Sequence, residues 1–261
     1  MPDTAMFQYT GPSLAGKVSE AEWEARVNLA AAFRIAHHFG WNTGINNHIT
    51  ARVPDEPAHF LMNPLGLGWH EITASSLVKA DYEGNLLSET DLTLAPAGFN
   101  FHSAIQAAKP EIACTFHLHP RAGVVVSATR EGLLIVDQSA CALYGQVAYH
   151  DFEGIAEEKD EAPRIIADLG DRFAMIMWNH GLLTVGRTVG EAFVYMKRLI
   201  TACEVQVSLM ATGAEIRRIP EDVMAFTVRQ MQARRGNGPA GALDWKMYLR
   251  LAEKLDPAFR T

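Results

Sequence analysis

Long apolar runs are missing from this chain of 261 residues, and none approaches the roughly 18–20 residues needed to span a bilayer. Cysteine is scarce. Cys114, Cys141 and Cys203 stand far apart and outside any CxxC pair, which excludes a disulfide framework and points to a reducing compartment. Clustered positive charge is also absent. With 23 basic and 30 acidic residues the net charge is −7, and the acids are dispersed. That balance argues against binding nucleic acid or an anionic membrane surface. The opening stretch "MPDTAMFQYTGPSLAG" carries neither a basic n-region nor an apolar h-region, so no signal peptide is expected and the expected location is cytoplasmic. Internal repeats are not found, and the one low-complexity segment is "RRGNGPAGA" at 234–242, which reads as a flexible linker.

What is present is material for a core. Hydrophobic residues make up 48% of the chain and charged residues 20%, and its length suits one large α/β domain or one domain with a C-terminal appendage. Ser19 followed by Glu22 has the form of a capping box. Trp23, Val27, Ala31, Ile35 and Phe39 then repeat every four residues up to Gly40, which predicts an amphipathic helix. Strands are expected at 48–53, 59–63, 112–118, 133–136 and 147–150. Residues 72–87 read as a short helix, a strand and a turn at Glu83-Gly84-Asn85. Helices are expected at 97–108, 122–130, near 159–169, 189–212, 220–234 and 243–254. "RFAMIMWNHGLLTVG" reads as a buried strand that breaks at Asn179-His180-Gly181. In the longest helix Phe193, Met196, Ile200, Cys203, Val207 and Met210 form a narrow apolar seam suited to the core or to a subunit contact.

The histidines carry the chemistry. In "CTFHLHP" His117 and His119 are two residues apart on a strand, so their rings share one face. Spacing alone leaves open an ordinary strand with one ring exposed and the other capped, because HxH pairs arise by chance. A third donor decides the matter, and His180 is the natural one: it ends an apolar strand and precedes a glycine. Three neutral histidines with one open position make a catalytic divalent-metal site, with zinc the default ion and manganese or another metal as alternatives. The remaining histidines read differently. His37 and His38 fit the carbonyl end of a helix, His102 reads as a core or supporting hydrogen bonder, and His48 as structural. His150 is flanked by Asp151 and Glu153, and a surface loop and a pocket role are equally open for it.

The segments "NHITARVP", "HFLMNPLGL", "EITASSLVKADYEGNL", "AGFNFHSAI", "FHLHPRAGVVVSA", "VAYHDFEGIA", "WNHGLLTVG" and "EAFVYMKRLITACEVQV", in this order, resemble the class II aldolase/adducin family, and within it the bacterial branch nearest the adducin head domain. The resemblance runs through most of residues 20–212. It implies an α/β fold, a three-layer α/β/α sandwich around a mixed central sheet. The domain plan it implies is an N-terminal extension at 1–19, the family domain at 20–215 and a C-terminal helical extension at 216–261. It further implies a homo-oligomer, a homotetramer by analogy, with Trp245 and Tyr248 covering a neighbouring subunit's site. By the family pattern His117, His119 and His180 hold a divalent metal.

The departures from that pattern are informative. Sugar-phosphate aldolases of the family carry a catalytic glutamate in a Ser-Ser-Glu motif; here the stretch is Pro96-Ala97-Gly98. Glycine carries no proton-transfer group, and two hydroxyl donors to phosphate are gone. Leu65 stands where the family's T-P-S-G turn has a hydroxyl, and in "NTGINN" only Asn47 is readily matched. These losses imply a substrate without phosphate. Gly66, Trp69 and His70, in the loop "GLGWHE", then either belong to a packed loop or line, together with Asn47, the entry for an organic acid or aromatic substrate. Proton transfer would fall to metal-bound water, His70, His150, Asp151 or Glu153, with His150 or Glu153 favoured.

Two functions compete. In the first, a metal-dependent lyase uses a Lewis acid to stabilise the enediolate or enolate left when a carbon–carbon bond breaks, in aldol cleavage or decarboxylation of a small oxygenated substrate. In the second, a non-catalytic adducin-like module binds partners; the intact histidine triad opposes it and the missing glutamate favours it. A metal-dependent epimerase comes third, because it needs the missing phosphate contacts.

Overall fold

The computed structural model describes residues 11–88, 90–94, 96–155 and 160–261, with the side chains of Pro96 and Ala97 outside the description. The two lost serine positions therefore lie outside the described side chains, as does most of the proposed N-terminal extension. Seven strands form one mixed sheet in the order β3-β2-β1-β4-β7-β6-β5. They are β1 His48–Val53, β2 Glu56–Met62, β3 Val78–Asp81, β4 Cys114–Leu118, β5 Val147–His150, β6 Ala174–Met177 and β7 Gly181–Gly186. All neighbours are antiparallel except the parallel β5–β6 pair.

Strand residues alternate between two cores, which is why helices cover both faces. Cys114, Phe116 and Leu118 of β4, with Ala174, Ile176 and Leu182, face a core built by α1 (Glu20–His38), α3 (Arg121–Ser127), α5 (Val189–Ala211) and α7 (Ala242–Leu255). Met175, Met177, Leu183 and Val185 face a second core beneath α2 (Pro96–Ala108) and α4 (Ala162–Leu169). This is the expected three-layer α/β/α sandwich. Helix α6 (Glu221–Arg235) packs on a 3-10 turn at Ala140–Leu143 and buries only Met224.

Local chemistry sets the elements. Ser19 caps α1 by accepting from the Glu22 backbone N–H at 3.1 Å. The reciprocal half of the capping box is replaced: the Glu22 carboxylate instead takes Arg26 at 2.8 Å and Lys79 at 2.9 Å. The short helix expected in 72–77 is a turn in which Thr73 and Ser76 exchange hydrogen bonds, with β3 following it. Residues 133–136 form no strand, because the Leu134 N–H donates to the Gln206 side chain at 2.7 Å instead of to a ladder. The strand expected at 172–186 with a break at Asn179-His180-Gly181 is a hairpin, β6 and β7, reversed at Trp178-Asn179-His180 with Asn179 at φ 54°. Asparagine tolerates that left-handed backbone better than most residues.

The C-terminal segment also departs from expectation. Trp245 and Tyr248 pack within their own chain, their rings 5.3 and 4.9 Å from Phe193 on α5, so in this arrangement they belong to the core rather than to a neighbour's site. The seam of α5 is core at Phe193, Met196, Ile200 and Cys203 and runs out to the exposed Met210. The glycine-rich 234–242 stretch is tied down: the Ala240 N–H donates to Glu191 at 2.8 Å and Arg187 donates to the Gly238 carbonyl at 3.1 Å. None of the described helices is long and apolar enough to cross a membrane.

Candidate metal centre

Strand β4 lies at the centre of the sheet, and its alternation sends Phe116 and Leu118 to one core and His117 to the other. His119 follows just past the strand end, so both imidazoles stand on the α2 side. The β6–β7 turn delivers the third ring. Trp178 and Asn179 donate their backbone N–H groups to the His150 and Ser127 carbonyls, at 2.8 and 2.9 Å, which fixes the turn against β5 and α3. The three ring centroids lie 4.7 to 4.8 Å apart, and one ring nitrogen from each falls within 4.8 Å of the others.

The donor set fits a divalent ion. His117 Nδ1 is 3.1 Å from the Leu182 carbonyl, an arrangement in which Nδ1–H donates and Nε2 is left as a bare acceptor. That Nε2 lies 2.8 Å from His119 Nε2. Burial keeps the rings neutral, the form that binds a metal. Burial lowers the His117 pKa well below its usual value, helped by His180 and His119. Burial likewise lowers His119, and takes His180 to about 4 with His119 and His150 adding to the effect. Among the described residues no other cluster of histidine, cysteine or acid side chains meets that geometry. The three cysteines are buried and burial raises each thiol pKa, so none offers a thiolate at neutral pH.

The other expected site residues divide. Asn47 is fully buried and braces the loop beside the triad: its Oδ1 accepts from the Thr43 N–H at 2.7 Å, and Thr43 Oγ1 reaches the His119 carbonyl at 3.5 Å. Gly66 sits at φ 96° in an open loop with free space around it. Trp69 does not face an entry. Its side chain is fully buried, edge-on to Phe33 at 4.8 Å, because the loop turns it into the α1 core. His70 lies over His37 at 4.9 Å, at the carboxyl end of α1, and makes no ring contact with the triad.

His150 and Glu153 form a cluster of their own. His150 is buried, with Nδ1 2.7 Å from Asp168 and Nε2 3.4 Å from Glu161 and 4.0 Å from Glu153. Arg164 takes Glu153 through Nε at 2.8 and 3.1 Å, and that pairing lowers the carboxyl pKa. A carboxylate held this way is a weakened base. Phe152 is exposed, with its ring 6.3 Å from that of His180.

His48, expected to be structural, was not among the expected site residues. His48 pairs with His117 across the β1–β4 ladder, which places both rings on the same face. Burial and the nearby His119 bring its pKa to about 4. The cue would have been the β1–β4 register, which no local pattern reveals. A cavity of about 850 Å³, partly lined by Tyr195, Arg198, Arg234 and Arg235, opens between α5, α6 and α7 and includes none of the three histidines.

The chain matches the class II aldolase and adducin N-terminal domain over residues 27–207. It belongs to the class II aldolase and adducin family. An aldolase II superfamily protein from Pseudomonas syringae has the same fold at 42% identity and a TM-score of 0.89, covering 96% of this chain and 100% of that one. The L-fuculose 1-phosphate aldolase of Glaciozyma antarctica aligns at 31% identity and a TM-score of 0.82, over 96% and 97% of the two chains. Rattus norvegicus alpha-adducin is 46% identical over 72% of this chain, a region that makes up 26% of that adducin.

Proposed function

We propose that this family member is a divalent-metal-dependent lyase that cleaves or forms a carbon–carbon bond, by aldol chemistry or decarboxylation, in a small oxygenated substrate without phosphate. The observation that carries the reading is the convergence of His117, His119 and His180, with the Leu182 carbonyl fixing the tautomer of the most buried ring. A divalent ion held by these residues, zinc by default and manganese or another as alternatives, supplies Lewis acidity toward a carbonyl or hydroxyl oxygen.

The chain's own residues define the rest. Thr43 and Asn47 hold the loop beside His119. Phe152 offers an apolar rim on the His180 side. His150, oriented by Asp168, is the acid/base group we retain from the His150–Glu153 pair, since Arg164 neutralises the glutamate. The absence of phosphate rests on Pro96 and Ala97, which stand where the family pattern has two serines, and on Leu65, which is exposed where that pattern has a hydroxyl. The Glaciozyma relative is named for a phosphorylated sugar; a screen pairing phosphorylated with unphosphorylated hydroxy and keto compounds separates the two. Self-association into a homotetramer is part of the proposal, supported by the exposed Val223 and Phe226 on α6.

The likeness to alpha-adducin supports a second reading, a binding module without catalysis. The deciding experiment is metal content by mass spectrometry of untagged protein purified without added metal, against the His117→Ala/His180→Ala double variant. About one equivalent of zinc or manganese in the wild type, lost in the variant, supports the lyase. Protein that holds no metal and cannot be loaded overturns it in favour of the binding module.

A further inference from the structure

The surface between α2 and the sheet holds polar groups at close quarters. Gly98, His102 and Gln106 recur once per turn of α2. They lie over His48 and Thr50 of β1, which pair with His117 and Thr115 of β4. His102 Nδ1 is 2.9 Å from Thr50 Oγ1, and Gln106 Nε2 donates to the same hydroxyl at 2.9 Å. His48 is the exception. It is 5% exposed, and among the described residues it is the one buried histidine whose two ring nitrogens both lack a hydrogen-bond partner. A buried polar group without a partner calls for an explanation, and a ligand atom is one.

Gly98 explains how that ring is seated. A Cβ at position 98 would lie 2.3 Å from His48 Cγ and 2.4 Å from Nδ1, closer than real atoms approach. The glycine is not needed for a left-handed backbone, because it sits inside α2, where alanine is the better helix former. It is needed for room. The side chain missing from the first turn of α2 is matched by an imidazole from β1, beside the first ligand of the triad.

We propose that His48 is a substrate-contacting side chain beside the triad: a ring that hydrogen-bonds the oxygen of a small hydroxy or keto compound entering the centre, with Gly98 kept small to seat it. The inference rests on the metal-centre reading above. A neutral imidazole offers one N–H donor and one acceptor nitrogen, which suits a hydroxyl or a carbonyl. His48 lies outside the triad's ligand group, as a side chain that touches the ligand instead of the ion would.

The test uses the full chain loaded with cobalt(II), whose visible spectrum reports the centre, and acetohydroxamate as the oxygen-donor probe. Wild type is compared with His48→Ala, His48→Gln and Gly98→Ala, with cobalt content and Tm measured for each. The expected result is one equivalent of cobalt throughout. The probe Kd should rise about 10- to 100-fold in His48→Ala and in Gly98→Ala, the loss of one good hydrogen bond, with partial recovery in His48→Gln. If His48→Ala fails to fold, the glutamine and Gly98→Ala variants carry the comparison. A Kd within about twofold of wild type in the cobalt-loaded variants overturns the role of His48 and leaves the metal reading standing. A wild type that takes up no cobalt overturns both.

Discussion

His117 Nε2 and His119 Nε2 stand 2.8 Å apart, with His117 Nδ1 committed to the Leu182 carbonyl. Two ring nitrogens aimed at one point repel unless a proton or a cation lies between them. A bound divalent ion should therefore stabilise the fold. At about a thousand times its Kd, ligand binding adds about 4 kcal/mol, a Tm rise on the order of 10 °C for a chain of this size. Scanning fluorimetry with and without zinc or manganese checks this. A Tm that ignores both ions and chelator contradicts it.

Acid should weaken the metal-free protein earlier than its carboxylates require. His48 and His180 each fall from 6.5 to about 4 on folding, chiefly through burial. Between those values the unfolded chain binds more protons than the folded one. The stability is thus full above about pH 6.5 and declines as pH falls toward 4. Urea midpoints from pH 7 to 4 should show this slope, and it should flatten in a His48→Gln/His180→Gln variant.

Arg26 is a buried cation, with Nε 2.8 Å from Glu22 and Nη1 2.8 Å from the Leu77 carbonyl. Glu22→Gln removes the charge that balances it and should lower stability by about 3–5 kcal/mol. Equilibrium urea unfolding measures the loss, and a change under about 1 kcal/mol would sink the claim.

The C-terminal segment is expected to be indispensable to folding. Trp245, Tyr248, Ala252 and Phe259 lie in the main core, and the Ala74 and Ser75 N–H groups donate to the Phe259 and Thr261 carbonyls. Deleting residues 242–261 should give insoluble protein, and Phe259→Ala should cost about 3–5 kcal/mol. Gly190→Ala, whose Cβ would meet Trp245 Cγ at 2.3 Å, should cost about 1–3 kcal/mol. Soluble, cooperatively unfolding protein after the deletion would show an independent extension instead.

Much of the fold was legible because it is periodic. The four-residue repeat from Trp23 and the apolar seam of α5 predicted helices within a residue or two of those observed, and the apolar run ending in His117 predicted β4. His117 and His119 were readable as a pair because a strand's alternation is a local rule, and His180 because it ends an apolar run before a glycine. What escaped depends on partners distant in sequence. Residues 133–136 have the composition of a strand, yet Gln206, some seventy residues away, takes their backbone group. Trp69 reads as a pocket aromatic until Phe33 is seen beneath it. His48 gains meaning only when β1 is aligned with β4.

The centre is assembled from three places in the chain that meet late. His48, His117 and the turn at 178–180 join through the β1–β4 and β4–β7 ladders, each of which closes a loop of more than sixty residues. Long closures form slowly. No early hairpin or fragment can then hold the ion, and the nascent chain offers it no foothold. On the proposed reading, metal capture would report that the sheet's middle has zipped up, and the ion would act as a latch on a finished molecule instead of a seed for an unfinished one.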